Sequence, residues 1–567
     1  MASSPPAGRV AERLDKLYEF EREPVAHDKL HGSSRFAGVY AGEHVAATEF
    51  VIGALFVSWG TKTSDVLYGL LLGNLAAVVS WACVCAPLAT ETRLTLYWYL
   101  RRIAGPAVTS VYNVLNAILY CILAGSMITV SASAVRIPFG IPAQTHWYPD
   151  DMRFVLVVLA VGAVVTILAV WGFKRLAQFA SICSPWMILI FVAGALATLP
   201  ALAASIPQVG SVRSASDFLA VADARIWTGV TAGGGERIGF WHVAAFAWIC
   251  NIAMHLGLSD MAIFRYARRW TFGFNSAYGM FLGHYLAWIT AGVMGAAAAH
   301  AAGQSLTLLD SGAVAYYAAG GAGAIAVIVA GWTTANPTLY RAGLALQAIT
   351  PNWPRWRVTL VAGIITTIVA CSPFVFTKLL DFVGTYGVLL APVGGVVTAE
   401  HWLFPRLSLH RFWASGKTLN APALIAWAVA SLGALVLSQT GAVHLFFLAV
   451  PAWIVAGLLY TALAALAGAG KKVGVDAAAV SATGSRETVA RGDTAVEHGA
   501  PDAATTTAGA LAVVFLAGCL ALPLWVFAAP PEAYVARLDL YKSALLWMTV
   551  GYFVAATYWI TRKPTTR

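Results

Sequence analysis

The sequence predicts an all-α polytopic membrane protein, on two observations. The first is composition: 59% of the 567 residues are apolar and 11% charged, where a soluble chain carries roughly 45–50% and 25%. A soluble fold of this length needs more polar surface, and the mean hydropathy of +0.72 agrees. The second is pattern. A spanning helix needs about 20 mainly apolar residues. The chain has fourteen such runs, at 39–60, 64–88, 107–135, 153–172, 176–203, 239–264, 273–301, 313–346, 357–377, 380–404, 420–438, 443–467, 507–529 and 540–561. They are too long and too uniformly apolar for the alternating strands of a barrel. All seven cysteines lie inside these runs with no partner at zinc-site spacing, and read as small buried hydrophobes.

Residues 1–38 form a polar cytoplasmic tail without an early apolar core, so no cleavable signal is expected and the first span starts insertion. With that tail inside, 27 of the 36 Lys and Arg fall on inner segments, Arg265, Arg341 and Arg355 among them, and 8 on outer ones. The bias agrees loop by loop with the positive-inside rule. The net charge of +10 is therefore topological, and no nucleic-acid partner is implied. This reading places the chain in the cell membrane with both termini cytoplasmic.

Charges inside membrane helices are costly and mark functional sites by default. The first span carries Glu43, His44 and Glu49 beside Gly42. The bland alternative is that Glu43 and His44 lie near the inner interface and snorkel. The sixth span carries Trp248, Asn251, His255, Gly257 and Asp260, with Asp260 one turn from Arg265 and so a candidate for a structural ion pair. If the bundle is two five-helix repeats, spans one and six correspond, and interrupted helices at matching positions point to a transporter binding site. Gly42 and Gly257 are the candidate interruptions. The eighth span holds Ala330, Thr333, Thr334, Asn336 and Pro337. Its hydroxyls and a Pro-freed carbonyl are hard oxygen ligands suited to Na⁺ or a hydrogen-bonding solute, although a Thr more often bonds its own helix. Gly320-Gly321-Ala322-Gly323 allows close helix packing. Residues 468–506, rich in Ala, Thr, Asp and Gly, read as a flexible cytoplasmic linker before a final helical pair at 507–567. The outer connection 204–238 is too short for a domain and is expected to pack over the mouth of the bundle.

Several of these stretches resemble the nucleobase–cation symporter-1 family, the cytosine, purine, uracil, allantoin and hydantoin permeases. They are Thr333-Thr334-Ala335-Asn336-Pro337 with Ala342-Gly343-Leu344, and Ala391-Pro392-Val393-Gly394-Gly395 through Glu400-His401-Trp402. Phe50-Val51-Ile52-Gly53, Leu72-Gly73-Asn74, and Asp260 with Phe264-Arg265-Tyr266-Ala267 fit as well. The resemblance covers about residues 30–467. It implies a leucine-transporter-type fold: twelve core helices at 39–467, with two inverted five-helix repeats at about 39–203 and 239–404, followed by two extra helices. It also implies alternating access and cation-coupled symport of a nitrogen heterocycle. By position, the cation site takes Gly42 and Val45 from the first span and Ala330, Thr333 and Thr334 from the eighth. The substrate site takes Glu43, His44, Ala46, Tyr120, Trp248, Asn251 and Asn336. The family's Trp on the third helix is absent, with Tyr120 the nearest aromatic, and its amide in the first-helix break is replaced by Glu43, His44 and Ala46. No cofactor is implied, and the coupling ion is Na⁺ or H⁺. The alternatives are a proton-coupled transporter of a different small solute and a transporter-derived sensor. Protease, hydrolase and nucleotide-loop motifs are missing, so an enzyme is not expected.

Overall fold

The computed structural model describes residues 19–562 except 21, 145, 232–235, 307–308, 351, 374–378, 412–416 and 472–502. Most of the expected linker and the first part of the tail thus lie outside the described residues. All fourteen apolar runs become helical segments, and eleven of the helices are long and apolar enough to cross a membrane. β-structure among the described residues is limited to isolated bridges.

The first run is two helices, α1 (Ser33–His44) and α2 (Thr48–Ser58). α1 starts six residues before the expected span, and the chain leaves helical geometry at Val45 (φ −95°, ψ 67°). Gly42 is not the interruption. It is helical, and it lets α1 approach a neighbour, since a Cβ there would sit 2.7 Å from the Ala180 Cβ. Next come α3 (Thr63–Thr92), α4 (Leu96–Val135), α5 (Met152–Val170) and α6 (Phe173–Ala204), which contains Ala180. α4 bends at Gly105 (φ +80°) just before Pro106. The carbonyls freed by the bend accept from outside the helix, Ile103 O from Asn420 Nδ2 at 3.0 Å and Ala104 O from Asn420 N at 3.0 Å.

The sixth run is broken twice, into α7 (Phe240–Ile249), α8 (Ile252–His255) and α9 (Met261–Phe264). The second interruption passes through Gly257 and Leu258, whose φ of +67° is a left-handed conformation unusual for a branched side chain. Its released backbone groups are re-satisfied: Ser259 N donates to Ala253 O (3.1 Å), Asp260 N to Met254 O (3.1 Å) and Trp453 Nε1 to Leu256 O (3.0 Å). Broken backbone at membrane depth is tolerated only under such cover.

The remaining helices are α10 (Trp270–Ala302), α11 (Ser311–Gln347), α12 (Arg355–Ala370), α13 (Phe382–Arg406), α14 (Ala421–Gln439) and α15 (Leu445–Ala469). α11 packs along α4. It kinks at Gly320 (φ +59°), where the Gly-rich run leaves room for Lys542.

Lys542 belongs to the final pair, α16 (Ala503–Phe527) and α17 (Pro531–Arg562). The pair lies against α6 and α11. Trp186 Nε1 donates to Thr549 Oγ1 (3.0 Å), Tyr552 OH to Ile182 O (2.6 Å) and Tyr534 OH to Ala197 O (2.9 Å).

The 204–238 connection caps the end of α2 and α3, with bridges Trp59–Thr231 and Lys62–Thr228 and a buried Trp227 beside Gly292 of α10. At the opposite end, the segment before α1 is strapped across the bundle. Glu19 accepts from Phe173 N (2.8 Å) and Tyr340 OH (2.9 Å) and lies 3.3 Å from Arg355 Nε. The His31 ring packs beside both Phe173 and Tyr266, which stack on each other with centroids 5.3 Å apart.

Candidate functional site

The interruptions of α1/α2 and α7/α8 face one cavity of about 60 Å³, walled by Leu123 and Met127 of α4 and Val383 of α13. Its polar lining is Glu43, His44, Thr48, Glu49, Cys250, Asn251, His284 and Thr334, with Ala46 in the first break. Burial, at 3% exposure for both Glu43 and His44, rules out snorkelling.

Glu43 turns away from the open space. Arg341 donates to both its oxygens, at 2.5 and 3.1 Å, and to Asp260 Oδ1 at 2.5 Å. Tyr40 OH (2.5 Å) and Trp81 Nε1 (2.8 Å) complete the shell of Asp260. All three charged groups are buried. One guanidinium therefore ties the end of α1, the turn between α8 and α9, and α11. Charge-assisted bonds of this kind are the strong ones, provided both charges stay paired. Two sequence expectations are corrected here. Asp260 does not pair with Arg265, because the left-handed turn at Leu258 leads Asp260 into the bundle. Arg265 instead donates to Phe20 O (2.6 Å) and Ala262 O (3.2 Å). Arg341, counted with the inner segments although it lies in the eighth span, is fully buried within α11.

Glu49, in the first turn of α2, has a different environment. Trp288 Nε1 donates to Oε2, and the nearest basic group is His284 Nε2, 3.9 Å from Oε1. The His284 ring stacks on Trp288 with centroids 4.2 Å apart, and Asn251 Nδ2 lies 3.2 Å from His284 Nε2. The His284 Nδ1 and His44 Nε2 atoms are buried without a hydrogen-bond partner. The other nitrogen of His44 bonds Tyr40 O at 3.0 Å.

Of the expected cation ligands, Ala330, Thr333 and Thr334 come together. Thr333 Oγ1 donates to Ala330 O (3.0 Å), and Thr334 Oγ1 reaches Ala330 O (3.2 Å) and Glu43 O (2.8 Å). The α1 carbonyl that meets α11 is thus that of Glu43, which lies between Gly42 and Val45. The expected substrate residues divide. Glu43, His44, Ala46 and Asn251 line the cavity. Trp248 does not: its Nε1 donates to Ser80 Oγ of α3 (3.0 Å), so its ring belongs to the α3–α7 contact. Tyr120 OH bonds Ser259 in the second break rather than facing the cavity. Asn336 lines a separate pocket of about 20 Å³ with Glu43 and Thr333. Sequence reasoning missed His284 and the bridging role of Arg341. The available signal was their position inside apolar runs, the same signal that marked Glu43.

No family model matches the chain, and no curated protein matches it in sequence. Solved structures do. Mhp1, a nucleobase-cation-symport-1 family transporter in a closed conformation with bromovinylhydantoin bound, aligns with a TM-score of 0.58 at 16% identity. The alignment covers 80% of this chain and 96% of Mhp1. The chain has the fold of that transporter. Inward-facing Mhp1 aligns with a TM-score of 0.57 at 17% identity, over 79% of this chain and 94% of that one. A substrate-bound outward-open Na⁺-coupled sialic acid symporter aligns at 0.54 and 14% identity, over 82% and 97%. The resemblance read from the eighth and tenth spans and this structural similarity point to the same leucine-transporter-type architecture.

Proposed function

We propose that the chain is a secondary active transporter of the cell membrane, with its termini and linker cytoplasmic. It carries a small planar nitrogen heterocycle, a nucleobase or a hydantoin- or allantoin-like ring, by cation-coupled alternating access. The observation that carries the reading is the meeting of two broken helices at one cavity. Breaks release backbone dipoles at membrane depth, where they otherwise cost several kcal/mol. Around them stand an amide (Asn251), two imidazoles and a carboxylate, between apolar walls. Few polar groups between apolar walls are the usual makeup of a small-molecule site. A ring with N–H and C=O groups along its edge matches those donors and acceptors. A cavity of about 60 Å³ holds a few waters, so the ring enters only when the bundle opens.

The neutral oxygens of Ala330, Thr333, Thr334 and the end of α1 form the cation site, a set suited to Na⁺. The Mhp1 and sialic acid symporter folds support this placement without deciding the ion. The test is counterflow in proteoliposomes. Purified protein, preloaded with unlabelled cytosine, uracil, hypoxanthine, allantoin or benzylhydantoin, should exchange at least one of them for its labelled form. Absence of exchange across the panel would sink the heterocycle reading.

A further inference from the structure

We infer that Glu49 carries a coupling proton, with His284 as its relay, in the cavity that Thr334 also lines but through different atoms. The inference rests on the transport reading above and adds an ion-carrying residue to it. Three carboxylates stand at the two helix breaks. Glu43 and Asp260 share the Arg341 guanidinium. Glu49 is as buried as they are, at 2% exposure, yet it has no Lys or Arg partner among the described residues. Its donors are neutral, the Trp288 indole N–H and the backbone N–H of Ala46. A buried carboxylate with neutral donors only and no cation beside it takes up a proton rather than remain an uncompensated charge. Glu49 also sits in the first turn of α2, where the helix N-terminus favours the anion. Opposing influences of this kind let the group exchange its proton when water reaches it.

The groups facing Glu49 define the exchange. From α10 come His284 and Trp288, and from the α7–α8 break the Cys250 thiol and Asn251. From α1 come His44, with Nδ1 at Tyr40 O, and Glu43, bound to Arg341. Leu123, Met127 and Val383 add no ionisable group among the described residues. His284 Nε2 faces both Glu49 Oε1 (3.9 Å) and the Asn251 amide (3.2 Å). A solute that engages Asn251 releases this nitrogen to accept the proton from Glu49. The O–H bond breaks, an N–H bond forms, and imidazolium faces carboxylate. When the cavity opens, the proton passes from the ring to water, and Glu49 is reprotonated from the other side in the next cycle. Solute binding at Asn251 thus frees the nitrogen that takes the proton, which is a physical basis for coupling.

Two measurements test this. The first needs no solute. Infrared spectra of protein reconstituted at pH 7 should show a protonated-carboxyl band that Glu49→Gln removes and Glu43→Gln keeps. A spectrum in which Glu49→Gln removes no such band overturns the inference. The second uses the panel heterocycle that wild type exchanges, with equal Na⁺ on both sides. An inward pH gradient of one unit should drive up to about tenfold accumulation if one proton accompanies each solute. Glu49→Gln should hold the ratio near unity, while slower but measurable counterflow shows that the variant is folded. Glu49→Asp should recover part of the accumulation. Undiminished accumulation by Glu49→Gln refutes the assignment. If wild type exchanges nothing in the panel, the heterocycle reading fails, and the infrared result still decides the state of Glu49.

Discussion

Arg341 holds two carboxylates with one guanidinium, and removing it leaves both buried without a counter-charge. Arg341→Ala is therefore expected to destabilise the protein by about 3–5 kcal/mol, read as a lowered unfolding midpoint in detergent. Arg341→Lys should recover only part, because a single ammonium cannot reproduce the forked contacts. At the cation site, Thr334→Ala removes one hydroxyl ligand and should raise the Na⁺ concentration for half-maximal uptake by about tenfold or more. Unaltered Na⁺ dependence would remove Thr334 from the site. Trp248 and Asn251 make a direct comparison. Asn251→Ala should weaken solute binding by about tenfold through a lost buried hydrogen bond. Trp248→Ala, whose ring bonds Ser80 outside the cavity, should leave affinity within about twofold of wild type while lowering stability. Equal loss of affinity in both would return Trp248 to the pocket. The residue types of the site were legible in the sequence because charge and amide groups stand out in apolar runs. Their partners were not. Asp260 is five residues from Arg265 but bonds Arg341, 81 residues on, and only the backbone turn at Leu258 decides between them.

Helices were more legible than their interruptions. Every apolar run became helix, because length and hydropathy suffice for that. Gly42 and Gly257 were the expected breaks, yet Gly42 serves close packing and the first break falls at Val45–Ala47, where local sequence carries no signal beyond Ala and Val. The strap before α1 was invisible, since its residues look like any polar tail. Its His31 ring is pushed down to about 4 by burial first, and then by Arg35, Arg268 and Lys174. The folded state therefore prefers the neutral ring, which accepts from Arg35 at 2.9 Å. A depressed value means that His31 supports the docked strap above its unfolded value of about 6.5. That support is lost as pH falls from there toward 4. Proteolysis within residues 19–32 should accelerate across that window in wild type and not in His31→Phe. The final helical pair calls for a different experiment. Truncation after residue 502 should preserve counterflow, since α16 and α17 contribute nothing to the cavity lining. It should lower thermal stability, because it uncovers Trp186 and the carbonyls of Ile182 and Ala197 on α6. A stable, well-expressed truncate without exchange would make the pair part of the transport machinery.

At the scale of the molecule, the charge bias is the basis of the proposed orientation. A reporter fused after Gly468 should report the cytoplasm, and activity on the outside alone would invert the topology. Most of the bias survives the burial of Arg341 and Arg355, which the helices absorb as structural cations. The architecture was readable because a bilayer enforces helix length. The route by which two breaks come to face each other was not, since it depends on packing between segments about 200 residues apart. The docking of α17 on α6 also orders events in time. Trp186 meets its hydrogen-bond acceptor Thr549 only 363 residues later in the chain. At translation speeds of about 5–20 residues per second, that indole N–H waits roughly 20–70 s for its partner. Throughout that interval the nascent bundle presents an unfinished polar face on α6 to lipid or to the insertion machinery, and the last helices to be made are the ones that close it.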